Sequence, residues 1–286
     1  MRVGIVTLQR QPVDPLTWLR FHVQVGISAF YFWLEDSPDL LPVLYGAAED
    51  LGVAMYVEQA PLVDRGKEDN YADLMVRQSE FVDRMVAQAR EDSVAWLFHT
   101  DDDELLLPRG EAATWPEVLM RQPDGCLSVH LSNWEGFSPA KPAGSWMTDP
   151  AVRYLPRSCA SLFAAYANGK SVTRTSVGQR SHGPHYFTGG ASCELQEADG
   201  LVLHHDALAM GPDDVPPEAW VRKYSLRKNA DLSKIPFDAT KEAVKVLRSG
   251  SLDAQRRVWL KFRSQTGSRF KACDSPQQLD LPSHHV

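Results

Sequence analysis

The sequence predicts an α/β fold: a mostly parallel, twisted sheet with helices on both faces, followed by a helical C-terminal segment. Three observations carry this prediction. Strand-like and helix-like stretches alternate in regular order from residue 3 to residue 98, the pattern that folds into a mostly parallel sheet. The run Trp96-Leu97-Phe98-His99-Thr100-Asp101-Asp102-Asp103-Glu104-Leu105-Leu106-Leu107 sets four consecutive acids between two apolar segments. Buried, unpaired acids are costly, so such a run belongs at the end of a core strand, facing a cation or solvent. Finally, residues 220–272 hold fourteen Lys or Arg against four Asp or Glu, within a chain whose formal net charge is −7.

The elements follow in order. Residues 3–8 are apolar and read as a buried strand, and 16–25 as a helix with Leu16, Leu19 and Val23 on one face. Residues 29–34 form an aromatic strand that ends at Glu35-Asp36-Ser37-Pro38-Asp39. A helix over 40–49 and a strand over 53–57 come next. Residues 69–90 then form a long amphipathic helix, with Tyr71, Leu74, Gln78, Phe81, Met85 and Ala89 at helical spacing. The strand 94–98 delivers the acid run. Beyond Glu104 the pattern loosens: a short helix at 117–120, a strand at 126–131, and a loop-rich stretch over 133–164 punctuated by Gly and Pro. Residues 211–217 read as a linker. The organisation expected is therefore a domain over 1–210, with a ligand-binding half (1–107) and an acceptor-side half (108–210), then a basic helical segment and tail over 211–286.

Composition narrows the function classes. With 23% charged and 43% hydrophobic residues the chain reads as an ordinary globular protein. No window approaches the ~20 apolar residues that span a bilayer, and the N-terminal run is too short for a signal h-region. The four cysteines, Cys126, Cys159, Cys193 and Cys273, are spread with no CxxC pair. That spacing argues against a zinc site or a disulfide framework and for a reducing, cytoplasmic location. Nucleic acid is not expected as a partner. Asn168-Gly169-Lys170-Ser171 mimics the end of a P-loop, but Ala164 stands where its first Gly is required. No G-x-S-x-G elbow is present for Ser-His-Asp chemistry.

Ligands of mostly parallel sheets bind beyond the C-terminal strand ends, where Thr7, Glu35-Asp36 and Asp101-Asp103 all fall. If the fourth strand continues through the acids, period two sets Asp101 and Asp103 on one side and Asp102 on the other. Hard divalent cations such as Mg2+ or Mn2+ take such oxygen ligands.

Several segments, in order, resemble glycosyltransferases of family 92 and related family-2-like transferases. Leu16-Thr17-Trp18-Leu19-Arg20-Phe21-His22 with Gly26 is similar to their EW…YH…LG segment, and residues 30–39 to their aromatic strand and Ser-Asp turn. Residues 96–105 resemble W…DxDE, Asn133-Trp134-Glu135-Gly136-Phe137 a W…FG segment, and Arg153-Tyr154 an eRf segment. Gly169-Lys170-Ser171 resembles gKsi, and His204 with Lys223 a closing HY…K pattern. The chain departs at Gln9-Arg10-Gln11, where Lys-Asn-Glu is usual, and at Thr17, where Glu is usual. The resemblance implies a GT-A fold and metal-dependent transfer of a sugar from a nucleotide donor, taken as a UDP-sugar, to a hydroxyl of a glycan, lipid or protein.

Physical logic then distributes roles. A nucleoside-diphosphate leaving group develops negative charge, which a bound Mn2+ or Mg2+ offsets. Asp103 is the expected direct ligand, Asp101 touches metal or ribose, and Glu104 supports them from behind. Asp102 joins the donor-binding set, with Thr7, Glu35 and Asp36 for base or ribose and Arg77 for base or phosphate. His185 and His204 are candidates for a third metal ligand or a diphosphate contact, since neutral imidazole suits Mn2+. His22 reads as structural. Glu135, Glu194 and Asp206 are the carboxylates from which an inverting enzyme would draw its base. The apolar stripe of 220–272 is expected to pack on the acidic body, with Arg222, Lys223 or Lys228 near the diphosphate; docking of this basic segment to an anionic membrane is the rival. A nucleotidyltransferase, or an inactive glycan- or nucleotide-binding module, is the alternative on the same frame.

Overall fold

The computed structural model describes residues 1–12, 14–60, 71–137, 145, 147, 152–155, 168–176, 179–205 and 279. The chain divides into two compact units, one of Met1–Ser132, Asn168–Val202 and Val286, the other of Asn133–Ala167 and Leu203–His285. The boundary expected near residue 210 and the basic segment 220–272 lie outside the described residues.

In chain order the elements are β1 (Val3–Arg10), α1 (Pro15–Gln24), β2 (Ala29–Glu35), α2 (Leu40–Leu51), β3 (Ala54–Gln59), α3 (Tyr71–Glu91) and β4 (Trp96–His99). There follow β5 (Glu104–Pro108), α4 (Trp115–Met120), β6 (Ser128–Leu131), β7 (Asn133–Phe137), β8 (Arg153–Leu155) and β9 (Lys170–Arg174). Last come β10 (Arg180–His182), β11 (Tyr186–Thr188), β12 (Ser192–Glu194) and β13 (Gly200–His205). The seven expected elements up to residue 98 are all present.

The first unit is built on a seven-stranded sheet in the order β12-β6-β9-β4-β1-β2-β3. β1 pairs in parallel with β2 and with β4, and β2 with β3, while β9 runs antiparallel between β4 and β6. Helices cover both faces. On one, Phe81, Val82, Met85, Val86 and Ala89 of α3 pack on Val6, Tyr31 and Leu97. On the other, the Trp18 ring of α1 meets Phe30 and Phe32 edge-on, at centroid distances of 6.2 and 6.0 Å. β1 therefore sits where the sheet reverses its winding, with β2 on one side and β4 on the other. In such sheets the crevice beyond this switch point is the ligand-binding place. This order, with one antiparallel strand inserted beside β4, is GT-A-like.

Local chemistry explains the boundaries. Asp14 caps α1, its carboxylate accepting the Thr17 N–H at 3.2 Å, and Pro15 opens the first turn where its missing N–H is harmless. α2 closes on Gly52 in the left-handed region, φ 65°. Within α1, His22 donates from Nδ1 to Trp18 O at 2.8 Å and accepts the Leu106 N–H on Nε2 at 3.2 Å. Trp18 Nε1–H donates to Glu104 O at 2.8 Å. One helix face thus pins both ends of the segment that leaves the acid run, which is the structural role expected of His22.

Two expectations need correction. Residues 133–137 were expected as loop but form β7, which pairs antiparallel with β8 in the second unit (Glu135↔Leu155, Gly136↔Tyr154, Phe137↔Arg153). Gly136 is obligatory there: a Cβ would stand 2.9 Å from His205 Cδ2 and 3.1 Å from Tyr154 Cε1. The cysteines also do not stay apart. Cys126, just before β6, and Cys193, on β12, are disulfide-bonded across 67 residues of sequence with Cα atoms 5.9 Å apart. Their spacing concealed the pair because β12 lies beside β6 in the sheet, so the spacing no longer argues for a reducing compartment. Among the described residues, no helix is long and apolar enough to cross a membrane.

Candidate functional site

The acid run does not prolong β4. Residues 101–103 make a turn, and the Glu104 N–H bonds back to Asp101 O at 3.3 Å before β5 starts. The expected alternation of Asp101 and Asp103 against Asp102 is therefore replaced by three carboxylates splayed from one tight turn. The cause is Glu104, whose buried Oε2 accepts the Asp101 N–H at 2.9 Å and the Thr100 hydroxyl at 3.1 Å, closing the loop on itself.

Behind the turn lies a residue that sequence reasoning passed over. Lys170 opens β9 with its side chain fully buried, and its Nζ reaches Asp101 Oδ2 at 2.5 Å and Glu104 Oε2 at 3.1 Å. Burial alone would discharge the ammonium, but the two carboxylates hold its pKa above the ordinary lysine value. Burial would likewise raise Asp101; Lys170 outweighs it and keeps that carboxyl below the usual range. Gly169 makes the approach feasible: at φ 66° it occupies the left-handed region, and a Cβ would run into Leu131 O. The signal in the sequence is a lysine that follows a glycine and leads the strand Lys-Ser-Val-Thr-Arg, a segment noted above for its P-loop mimicry and its likeness to gKsi, neither of which points to a partner for Asp101.

Asp101 is also held from the opposite helix. Gln78 Nε2 donates to its Oδ1 at 3.2 Å. Asp102 is pushed up to about 7, first by burial and then by Asp103 and Asp101. That crowding of negative charge is what a divalent cation would relieve, and the hard oxygen donors of the turn suit Mn2+ or Mg2+. Asp101 serves Lys170 and Gln78. Among the described residues no three His, Cys, Asp or Glu side chains form a ready-made metal cage.

The imidazoles near the turn are neutral. His99, buried at the end of β4, is pushed down to about 3 by burial and then by Lys170. His185 is lowered to about 4 by the same two causes, and its Nδ1–H donates to Gly169 O at 3.0 Å, leaving Nε2 with its lone pair. His130 Nδ1 lies 3.1 Å from Ser171 Oγ, whose hydroxyl donates to His185 O at 2.7 Å; the His130 ring stacks on Tyr186 at 4.7 Å.

Of the other expected donor contacts, Arg77 and Glu35 pair with each other and Asp36 pairs with Arg10. Arg77 donates to Glu35 from Nε at 2.9 Å and from Nη2 at 3.3 Å, so this buried carboxylate and the guanidinium spend their charge on each other. Arg10 Nε donates to Asp36 Oδ2 at 2.8 Å, at the strand end where Asp36 adopts φ 51°. Thr7 is fully buried on β1 with its hydroxyl unpartnered, as are both amide atoms of Gln9 two residues on. Glu194 is not brought to the site: it lies on the exposed edge strand β12, three strand positions from β4, ~14 Å at the usual spacing. Glu135 on β7 and His204 on β13 belong to the second unit. Asp206 and Lys223 lie outside the described residues.

A pH dependence follows. The buried imidazole of His22 is pushed down to about 3 by burial, against its bond to Trp18 O. His22, His99 and His185 all titrate lower folded than unfolded, so the unfolded chain gains their protons first as pH falls below about 6.5. Asp102, raised when folded, opposes one of the three. Stability should therefore be full near pH 7 and fall by about 2 kcal/mol per pH unit between pH 6 and 5. Urea unfolding across that window checks it, and a flat profile would refute neutral buried imidazoles.

Two Arabidopsis thaliana proteins are similar in sequence. Glycosyltransferase-like At2g41451 is 26% identical over 66% of this chain and 50% of its own length. Glycosyltransferase-like At3g57200 is 24% identical over 66% of this chain and 44% of its own length. The chain thus spans about half the length of the curated relatives it matches. No protein-family model matches it. Among solved structures, a glycosyltransferase involved in the glycosylation of the major capsid of PBCV-1 aligns over 62% of this chain and 61% of its own at 13% identity and a TM-score of 0.25. The inositol-1-phosphate CTP transferase from T. maritima aligns over 80% and 97% at 10% identity and 0.34.

Proposed function

We propose that the protein is a metal-dependent glycosyltransferase that moves a sugar from a UDP-sugar to a hydroxyl of a glycan, lipid or protein. The observation that carries this reading is the turn 101–104 at the switch point of a GT-A-like sheet, where burial and the neighbouring acids Asp103 and Asp101 push Asp102 up while Lys170 restrains Asp101. The names of the two plant relatives support the class.

When bound, Mn2+ or Mg2+ would act as a Lewis acid toward the departing diphosphate. Asp103 and Asp102 would hold it through oxygen. Asp101, fixed between Lys170 and Gln78, faces the donor rather than wandering with the turn. Burial of Glu104 keeps the turn's shape independent of the ligand. Glu135 and Asp206 remain the carboxylates proposed for the acceptor side.

Titration calorimetry with UDP, with and without Mn2+, is the test. Metal-dependent binding is expected, and Asp103→Ala should weaken it at least about tenfold, ~1.4 kcal/mol. Binding that ignores Mn2+, or that survives Asp103→Ala unchanged, would sink the proposal. Pyrophosphate release from a nucleoside triphosphate and a sugar phosphate would turn the assignment to a nucleotidyltransferase.

A further inference from the structure

Two buried atoms beside Asp101 lack the partners that burial demands. Gln78, 5% exposed, donates its amide N–H to Asp101 Oδ1 at 3.2 Å, yet its Oε1 has no hydrogen-bond partner. His99, 3% exposed, has none at Nε2. Leaving such a group unsatisfied costs roughly 1–3 kcal/mol, so a fold that keeps two together invites a reason.

The fold sets them at one level of one sheet face. α3 packs Val82 and Met85 against Val6 and Leu97. His99 follows Leu97 on the same face, two residues and ~6.6 Å nearer the strand ends. Gln78 precedes Val82 by one helical turn, ~6 Å in the same direction, because the crossover helix runs antiparallel to the strands it joins. Both side chains therefore stand over the start of the acid turn, on the α3 side, whereas Lys170 occupies the opposite side with Val172, the partner of Phe98.

We propose that Gln78 and His99, together with Asp101, form the subsite that grips a hydroxyl of the donor's sugar and thereby selects which sugar is transferred. This rests on the donor reading above. A hydroxyl fits because it donates and accepts at once: it can give its proton to Gln78 Oε1 while bonding the neutral imidazole at Nε2, and a carbon-bound hydrogen in its place can do neither.

The experiment compares UDP, UDP-glucose, UDP-galactose and UDP-N-acetylglucosamine in Mn2+ by calorimetry, on wild type, His99→Phe and Gln78→Met, with thermal unfolding of each free protein. His99→Phe is the sharper variant, since it leaves both bonds of Asp101 in place. Expected is UDP affinity within about twofold of wild type, loss of about tenfold in the extra affinity that the preferred sugar confers, and no fall in Tm, because an unsatisfied atom has been removed. Equal weakening of UDP and UDP-sugars, an unchanged sugar preference, or a lower Tm in His99→Phe would overturn the subsite. If wild type binds no UDP, the donor reading fails and this inference fails with it; UDP binding with intact preference in both variants overturns the subsite alone.

Discussion

Lys170→Met is expected to destabilise the protein by about 3–5 kcal/mol, the cost of stranding buried charge. Lys170 is the cation within reach of both Asp101 and Glu104, at 2.5 and 3.1 Å, and Glu104 is only 1% exposed. With the ammonium gone, Glu104 must either remain charged while buried or take up a proton and loosen its grip on Thr100 and the Asp101 N–H. The loss should appear as a lower midpoint in urea with little change in slope. Lys170→Met combined with Glu104→Leu removes charge in balance and should recover most of the stability, because a paired charge exchanged for apolar contacts is near neutral. A single variant as stable as wild type would mean that water, rather than Lys170, stabilises the acid turn.

The second large effect is expected at Arg77. Its two-pronged bond to Glu35, a carboxylate with no exposed surface, joins α3 to the end of β2 beside the crevice. Arg77→Met should cost about 3 kcal/mol or more, because the Glu35 side chain it would strand has no exposed surface. Arg77→Lys should rescue only in part, since an ammonium cannot match the planar fork. Arg77→Met with Glu35→Leu should return close to wild-type stability. If Arg77→Met leaves the unfolding midpoint alone but weakens UDP binding, the guanidinium serves the ligand after all and its bond to Glu35 is a resting contact.

These two pairs also mark where sequence reading stopped. Arg77 and Glu35 had each been assigned to the ligand, from their places at a helix stripe and a strand end. Nothing in a sequence separates a charge waiting for a phosphate from a charge waiting for a residue 42 positions away. Asp101 reads from its strand-end position as a metal or ribose contact, and nothing in the sequence announces that Lys170, 69 residues downstream, pairs with it. The acid turn was misread for a local reason. Period two holds only while a strand continues, and the side chain of Glu104 folds back to end it. The disulfide escaped notice because Cys126 and Cys193 become neighbours only once β12 lines up on β6.

By itself the sequence determined the order and kind of the elements up to β4, the switch point at β1 and β4, and the placement of an acid cluster at that crevice. Those features follow from apolar periodicity, capping residues and the cost of burying charge, all of which act over a few neighbouring positions. Only the tertiary structure decided which charges are paired with one another inside the protein. Lys170 with Asp101 and Glu104, Arg77 with Glu35, and the unpartnered atoms of Gln78 and His99 are products of strands and helices meeting across the sheet. A charge is free or paired according to what lies within about 4 Å, and that distance is set by packing rather than by position along the chain.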